Sequence, residues 1–544
     1  MNVKANIVGI LLTFVLVAQL AEARAGGPEI HSAADVTNAI CFAMYTVQDN
    51  VLKLTAQLYP LADEDTRTIK LQIMKNGAWT TIAEGPVRED LYGSPVGAKV
   101  WNICFRVEDW DHSVDWPYRV SARGGADTYG GTIRKDPIHK NEIVVAAFTG
   151  NSNKDRRLKP DIIRNIKAQD PDLLFFSGDQ SYDHRNHLGA WLLFGRQFGE
   201  IIKDRPTIAI PDDHDVGQGN LWGEDGVKSI LPGASDGGYT MPPQYVNEVQ
   251  FAQTSNLPDP YDPTPIKRGI GVYYTDLNIG GVDFAIIEDR KFKMGPADII
   301  PKMGPRPDHI NDPTYDRRAV DVPSARLLGD RQIRFLEHWG RQWDGVAMKA
   351  VLSQTIFAGG AHIHHGKRLL ADLDSNGWPQ TGRNRALAAI REAHAYMIAG
   401  DQHLASVIQH GTDEWKDAGT SFCVPSIVNF YPRAWLPLEA GADPVSDVLE
   451  HTGDFLDGFG NKVSMYAYAN PGPDWRSIDD PLRGGAAGYG LVRFNKQQRS
   501  VTAECWPRMV DVTQPDAAQF AGWPVTVTIG QDGRHERGSS EAAR

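Results

Sequence analysis

Cysteine is scarce in this chain of 544 residues: Cys41, Cys104, Cys423 and Cys505 are the only four, and no two form a C-x-x-C pair. That excludes a zinc ribbon and a thioredoxin-type redox centre. Basic residues are in deficit, with 56 Lys plus Arg against 68 Asp plus Glu and a formal net charge of -12. A surface built mainly for nucleic acid is thereby excluded, because binding phosphate backbones needs a basic face. Small anionic substrates stay open, since a metal ion supplies positive charge locally. Beyond residue 25 no apolar run is long enough to span a bilayer, which takes about 20 residues. No unit repeats at a period of about 20–50 residues. Asn-x-Ser/Thr sequons are also missing, in keeping with a bacterial secreted protein. Apolar residues at 41% and charged residues at 23% are globular proportions, which leaves no room for wholesale disorder, collagen or coiled coil.

What is present begins with an export signal. Lys4 supplies a positive n-region, residues 7–20 (IVGILLTFVLVAQL) an apolar run, and AEA at 21–23 with ARA at 23–25 two small-x-small cleavage sites. Residues 1–25 therefore read as a signal peptide, with an uncleaved N-terminal anchor as the alternative. The n-region has no Arg-Arg pair, which favours Sec-type over twin-arginine export. The expected location is periplasmic or extracellular, with no transmembrane segment after cleavage. Four cysteines in such a compartment allow up to two disulfides; position suggests Cys41 with Cys104 and Cys423 with Cys505, and buried free thiols are the alternative.

At roughly 150 residues per domain the length corresponds to about three to four domain-sized units. Residues 26–139 read as a small β-sandwich domain of fibronectin or immunoglobulin type, from alternating runs at 51–59, 69–74, 99–107 and 118–122 between turn clusters. From residue 140 to 530 short apolar strands alternate with helical segments, the rhythm of α/β architecture. Strands are expected at 142–148, 172–177, 207–210, 282–287, 349–353 and 396–399, with a helix at 160–169. Two Gly/Pro-rich stretches, 215–268 and 292–325, interrupt this block as inserted loops that shape an active site. Residues 489–506 read as two strands about a turn at 495–498, and 531–544 as a flexible polar tail.

The chemistry lies at the strand ends. The strand at 142–148 runs into Thr149-Gly150-Asn151, and that at 172–177 into Gly178-Asp179-Gln180-Ser181-Tyr182. The strand at 207–210 runs into Pro211-Asp212-Asp213-His214-Asp215, and that at 396–399 into Gly400-Asp401-Gln402-His403. Open α/β sheets place their sites at this C-terminal edge. Carboxylates crowded there repel one another unless cations sit among them. The donors suit a site for two or more metal ions, which acidify a shared water and stabilise both oxygens of an in-line displacement. A phenolate at Tyr182 favours Fe(III), the carboxylates suit Ca, Mn or Mg, and His403 suits a transition metal such as Zn.

With these words in place, GDQSY at 178–182, PDDHD at 211–215 and MIAGDQH at 397–403, the sequence resembles the PhoD-like (alkaline phosphatase D) family of calcineurin-like metallophosphoesterases. Weaker likeness lies in Glu288-Asp289-Arg290, in Val351-Leu352-Ser353-Gln354 and in GYGLVRF with VTAECWP near the C-terminus. The resemblance spans residues 30–510. It implies a four-layer α/β/β/α sandwich after the β-sandwich domain, and hydrolysis of phosphate esters by a metal-bridging hydroxide. It further implies that Asp179 bridges the metals, that Tyr182 and His403 bind the first, and that Asp213 and Asp401 bind the second. His214 would contact the phosphate and protonate the leaving oxygen, and Arg290 would hold the phosphate oxygens. Iron and calcium are the metals implied.

One position departs from the family. Where relatives carry a cysteine ligand of the iron after the first strand, this chain has Asn151, read either as a neutral metal ligand or as a turn residue. The His362-Ile363-His364-His365 run is read as an extra metal or phosphate contact, or as a polar loop. Arg185 and His187 either line the site or start a helix, and Trp222 and Trp378 either flank substrate or pack in a core. The leading expectation is an exported metal-dependent phosphoesterase acting on a small phosphate ester. The alternatives are a phosphodiesterase or phospholipase D-like enzyme, taking a phospholipid or another diester at the same site, and a catalytically weak, metal-stabilised binding protein. An amidohydrolase-type barrel fits poorly, because Asn151 stands where its H-x-H would follow the first strand.

Overall fold

Segments apolar on both faces become strands covered on both sides. Leu173–Phe176 and Thr207–Ala209 are buried throughout, and both run parallel to Glu142–Asn151. The computed structural model describes residues 28–96, 99–297, 299–364, 366–472 and 481–538. The leader expected at 1–25 lies outside them. Among the described residues, no helix is long and apolar enough to cross a membrane.

Two eight-stranded sheets make up the larger part. In the first, Glu142–Asn151 is flanked by its parallel partners on one side and by the antiparallel run Gly488–Asn495, Ser500–Pro507, Val525–Ile529 and His535–Arg537 on the other. The second places Val282–Ile286, Met348–Thr355, Tyr396–Gly400 and Thr420–Cys423 side by side and parallel, with antiparallel strands at both margins. One core joins the inner faces, where Val145, Phe175 and Phe494 meet Phe284, Leu352, Ile398 and Phe422. A second core packs Phe148 and Phe176 against Ile162 and Ile166 of helix Pro160–Gln169 and Phe194 and Phe198 of helix His187–Ile202. A third packs Val351 and Met397 against helices Pro243–Thr254, Gly329–Gly340 and Gln380–Glu392.

The N-terminal part forms a three-stranded sheet of Ile40–Gln48, Val51–Leu58 and Asn102–Val107, and a four-stranded sheet of Ala78–Pro86, Thr68–Lys75, Trp116–Ala122 and Asp127–Ile133. Thr68–Lys75 alternates buried and open positions, the period of a half-covered strand. The two sheets share a core of Leu54, Leu71, Phe105 and Val120, which Leu188 and Leu192 of helix His187–Ile202 also enter. That helix therefore lies between the N-terminal sheets and the first large sheet. Gly195 is required at this junction, because the Phe42 ring fills the space that a Cβ would occupy.

Several expectations are corrected. All four cysteines are free. The Cys41 thiol meets the Leu192 carbonyl at 3.4 Å and that of Cys104 the Ser255 carbonyl at 3.0 Å, while Cys423 and Cys505 are buried among apolar side chains. The inserted stretches are not bare loops: 215–268 contains helix Pro243–Thr254, and 292–325 contains the short strand His309–Ile310. In the expected tail, His535–Arg537 pairs with Val525–Ile529. The first strand extends through Asn151 because Ser426–Val428 pairs with its end.

The Phe284 ring meets that of Phe494 edge-on at 5.7 Å between the two large sheets. Phe284→Ala is expected to destabilise the protein by about 3–5 kcal/mol, seen as a lower urea midpoint. An unchanged midpoint would mean that this core does not hold the sheets together.

Candidate functional site

Both large sheets present the C-terminal ends of parallel strands to the same edge, and there they touch. Gly400 shows how closely: a Cβ on it would collide with the hydroxyls of Ser177 and Thr149, from the other sheet. Thr149 also accepts a hydrogen bond from the Asp401 backbone N–H at 3.2 Å. Gly178, at φ 126°, is equally constrained, since a Cβ would lie 2.5 Å from that of Asp212. Asp179, Asp401 and His403 themselves stand in the left-handed region at φ 62°, 62° and 53°. Non-glycine residues adopt it at a cost, and such residues gather at functional sites.

Asp215 ties these turns together. Its Oδ2 accepts from the backbone N–H groups of Asp179 at 2.8 Å and Asp212 at 2.9 Å, and its Oδ1 from that of Ser181 at 3.0 Å. Burial pushes its carboxyl up to about 7, with the Asp179 charge adding to the shift.

The expected ligands converge. Tyr182 donates to Asp179 Oδ2 at 2.5 Å, and its hydroxyl lies 3.2 Å from His403 Nε2. Asn429 orients the His403 ring through Nδ1 at 3.1 Å. Asp179, Asp213 and His214 place one ligand atom each within 4.8 Å of one another, and so do Asp212, Asp213 and Asp401. Asp213 is the carboxylate common to the two groups. Asp212, previously without a role, belongs to the second group. Its signal in the sequence was plain adjacency, and choosing between neighbouring aspartates required the turn.

These acids are hard to hold together without a cation. Burial, then neighbouring carboxylates, push Asp213 well above the usual carboxylate range; burial does the same to Asp212 against the pull of Arg290, and lifts Asp401 to about 6. Buried Asp179 Oδ1, Asp212 Oδ2 and Asn151 Oδ1 have no hydrogen-bond partner among the described residues. Buried polar oxygens are normally paired, so such orphans fit a bound cation. The donor set of carboxylates, phenol and imidazole therefore suits metal ions. Asn151 offers its amide oxygen, its Nδ2 donating to Gln197 at 2.8 Å.

The Arg290 guanidinium is buried behind the acids, ion-paired with Asp212 at 2.6 Å, Asp374 at 2.7 Å and Asp401 at 2.7 Å. It does not line the cavity of about 890 Å³ that opens over Asp179, Tyr182, Asp213, His214, Asp401 and His403. The arginines that do are Arg156, Arg185, Arg306 and Arg433. Arg433 is buried, and its Nε and Nη1 have no hydrogen-bond partner among the described residues. Sequence reasoning missed Arg306 and Arg433, which no motif flanks.

Of the remaining candidates, Arg185 lines the cavity with His184, whose Nε2 lies 2.9 Å from His214 Nδ1. His187 is buried within its helix and contacts Gln253 at 3.3 Å. Trp222 and Trp378 pack in cores, their indole N–H groups bonded to Asp374 at 3.0 Å and the Val320 carbonyl at 2.7 Å. His362 meets the Trp435 ring at 4.7 Å and His364 approaches Asp372, neither belonging to the two carboxylate groups, while His365 lies outside the described residues.

No model of a known protein family matches the sequence, and no curated protein matches it either. Solved structures do. The chain is similar to the structure of PhoD, with a TM-score of 0.61 at 13% identity over 93% of each chain. It is also similar to purple acid phosphatase PPD1 from yellow lupin (Lupinus luteus) seeds, with a TM-score of 0.53 at 12% identity over 88% of this chain and 72% of that one. At these identities the likeness is one of fold. The chain shares the fold of PhoD.

Proposed function

We propose that this chain is an exported metal-dependent phosphoesterase that hydrolyses phosphate esters at the edge where its two large sheets meet. The observation that carries the reading is the convergence of Asp179, Asp212, Asp213 and Asp401 beneath an arginine-lined cavity. We read the layer order as α/β/β/α, which the helix-covered outer faces and the shared inner core support. Export rests on residues 1–25.

Asp179, Tyr182 and His403, with Asn151 beside them, would hold one cation, and Asp212, Asp213 and Asp401 another. Bound cations there supply positive charge for the phosphate and acidify water. The donors leave iron, calcium, manganese, zinc and magnesium open. Arg433 and Arg306 would neutralise the phosphate oxygens, as a planar fork matched to an anion does. His184 occupies Nδ1 of His214, so proton delivery to the leaving oxygen falls to Nε2. Arg290 acts from behind, holding Asp212, Asp374 and Asp401 in place.

A second reading, diester hydrolysis, is favoured by the size of the cavity, about 890 Å³, which leaves space for a large second substituent. Relative rates on nitrophenyl phosphate and bis-nitrophenyl phosphate discriminate between the two.

Asp179→Asn is expected to lower kcat/KM about a thousandfold, since the cations supply several kcal/mol of transition-state stabilisation, and to reduce metal content; full activity would end the proposal. Arg433→Ala should cost about a hundredfold in kcat/KM with a smaller loss of melting temperature than Arg290→Ala, since its one ion pair is long, 3.9 Å to Asp372. Arg290→Ala should instead destabilise the fold by about 3–5 kcal/mol, because it leaves buried carboxylates unpaired. If thermal unfolding shows the reverse pattern, the roles of the two arginines are exchanged.

A further inference from the structure

A group of metal-type donors lies beside the cavity and shares no residue with the carboxylate cluster. Asp308, His309 and Asp372 place one ligand atom each within 4.8 Å of one another. The short strand His309–Ile310 pairs with Ala371–Asp372, so that His309 stands directly opposite Asp372. The strand Ile363–His364 pairs with Arg433–Ala434, and its His364 Nε2 comes 3.1 Å from Asp372 Oδ2. The rings of His309 and His364 meet edge-on, 4.9 Å apart.

Two facts point to a ligand. His364 is 2% exposed, yet neither of its ring nitrogens, nor Asp372 Oδ2, has a hydrogen-bond partner among the described residues. The nitrogen and oxygen are within reach but misaligned for hydrogen bonding. Within the group of three, one pair also has the spacing of neighbouring ligands. An ion with four tetrahedral bonds of ~2.1 Å separates its ligands by ~3.4 Å, and His309 Nε2 lies 3.4 Å from Asp308 Oδ2.

Two arginines pair with these carboxylates without hydrogen-bonding the oxygens left over, and Arg433 counts Asp372 among its charge partners. Arg306 engages the other oxygen of Asp308, Oδ1, at 3.1 Å, and Arg433 stays 3.9 Å from Asp372 Oδ2, its charge shared with Asp401 and Asp374. Asn220 donates to Asp308 Oδ2 at 3.0 Å, as a group orienting a ligating carboxylate does.

We propose that Asp308, His309, His364 and Asp372 form a separate cation site with two imidazole and two carboxylate donors, which takes a transition-metal dication such as zinc. Mixed nitrogen and oxygen donors favour such an ion over calcium or magnesium. The ion ties the inserted segment around His309 to the strands at His364 and Asp372. Those elements carry Arg306 and Arg433 into the cavity, so occupancy stiffens the wall that faces substrate. The proposal goes beyond the phosphoesterase reading and does not depend on it.

The test uses the full mature chain carrying Asp179→Asn and Asp213→Asn, to weaken the catalytic cluster. After chelation and reloading with zinc alone, bound zinc is counted by elemental analysis, and melting temperature is measured with and without the ion. One zinc equivalent and a zinc-dependent rise in melting temperature are expected. Adding His364→Gln, or His309→Gln in a second variant, should remove that equivalent and the rise, with affinity at least ~100-fold weaker. The melting temperature of the metal-free chain reports whether each variant folds. Retention of the equivalent in both folded histidine variants, or its absence from the starting chain, would overturn the site. Loss of phosphoester hydrolysis in the wild-type chain would instead overturn the phosphoesterase reading, leaving the zinc count untouched.

Discussion

Several carboxylates are buried together at one sheet edge, and most of the local architecture answers their mutual repulsion. Asp179, Asp212, Asp213 and Asp401 arrive on turns from both sheets, and burial, with neighbouring carboxylates adding to it, opposes the charge of Asp212, Asp213 and Asp401. Arg290 offsets part of this from below, through ion pairs to Asp212, Asp374 and Asp401. Asp215 offsets none of it electrostatically, yet its accepted backbone hydrogen bonds hold the turns in position. The orphaned oxygens above are what remains for cations to satisfy.

The supporting layer reaches further out. Lys293 donates to the carbonyls of Leu373, Asp374 and Ser375, at 2.9, 2.7 and 2.8 Å, and so fixes the loop that carries Asp374. Trp222 donates to the same Asp374 carboxylate from the inserted stretch 215–268. Segments that look like loose insertions are therefore anchored to the site by buried polar contacts. A net charge of -12 describes the whole surface, whereas the cavity is lined by arginines over acids that cations would invert.

Much of the fold and part of the site were legible along the chain. Strands buried on both faces announce themselves as unbroken apolar runs, as at Leu173–Phe176 and Tyr396–Gly400, and the Gly-Asp pairs that follow them are local turn signals. The inserted helix Pro243–Thr254 was not legible, because its apolar periodicity is weak: Glu248 and Gln253 are buried along with Tyr245, Val246 and Val249. Arg290 is contiguous with its strand, but which way its guanidinium reaches depends on Asp374, 84 positions away.

By itself the sequence determined which residues stand at strand ends: Asp179, Tyr182, Asp213, Asp401 and His403 follow their strands by covalent continuity, and the glycines before Asp179 and Asp401 secure sharp turns. Only the tertiary structure decided which of two adjacent aspartates is common to both carboxylate groups, that the Asn151 amide oxygen has no hydrogen-bond partner among the described residues, and that Arg433 rather than Arg290 lines the cavity. The physical reason is range. Backbone conformation and strand burial are set within a few residues, whereas ion pairing and desolvation depend on which distant loops the two sheets bring to one edge.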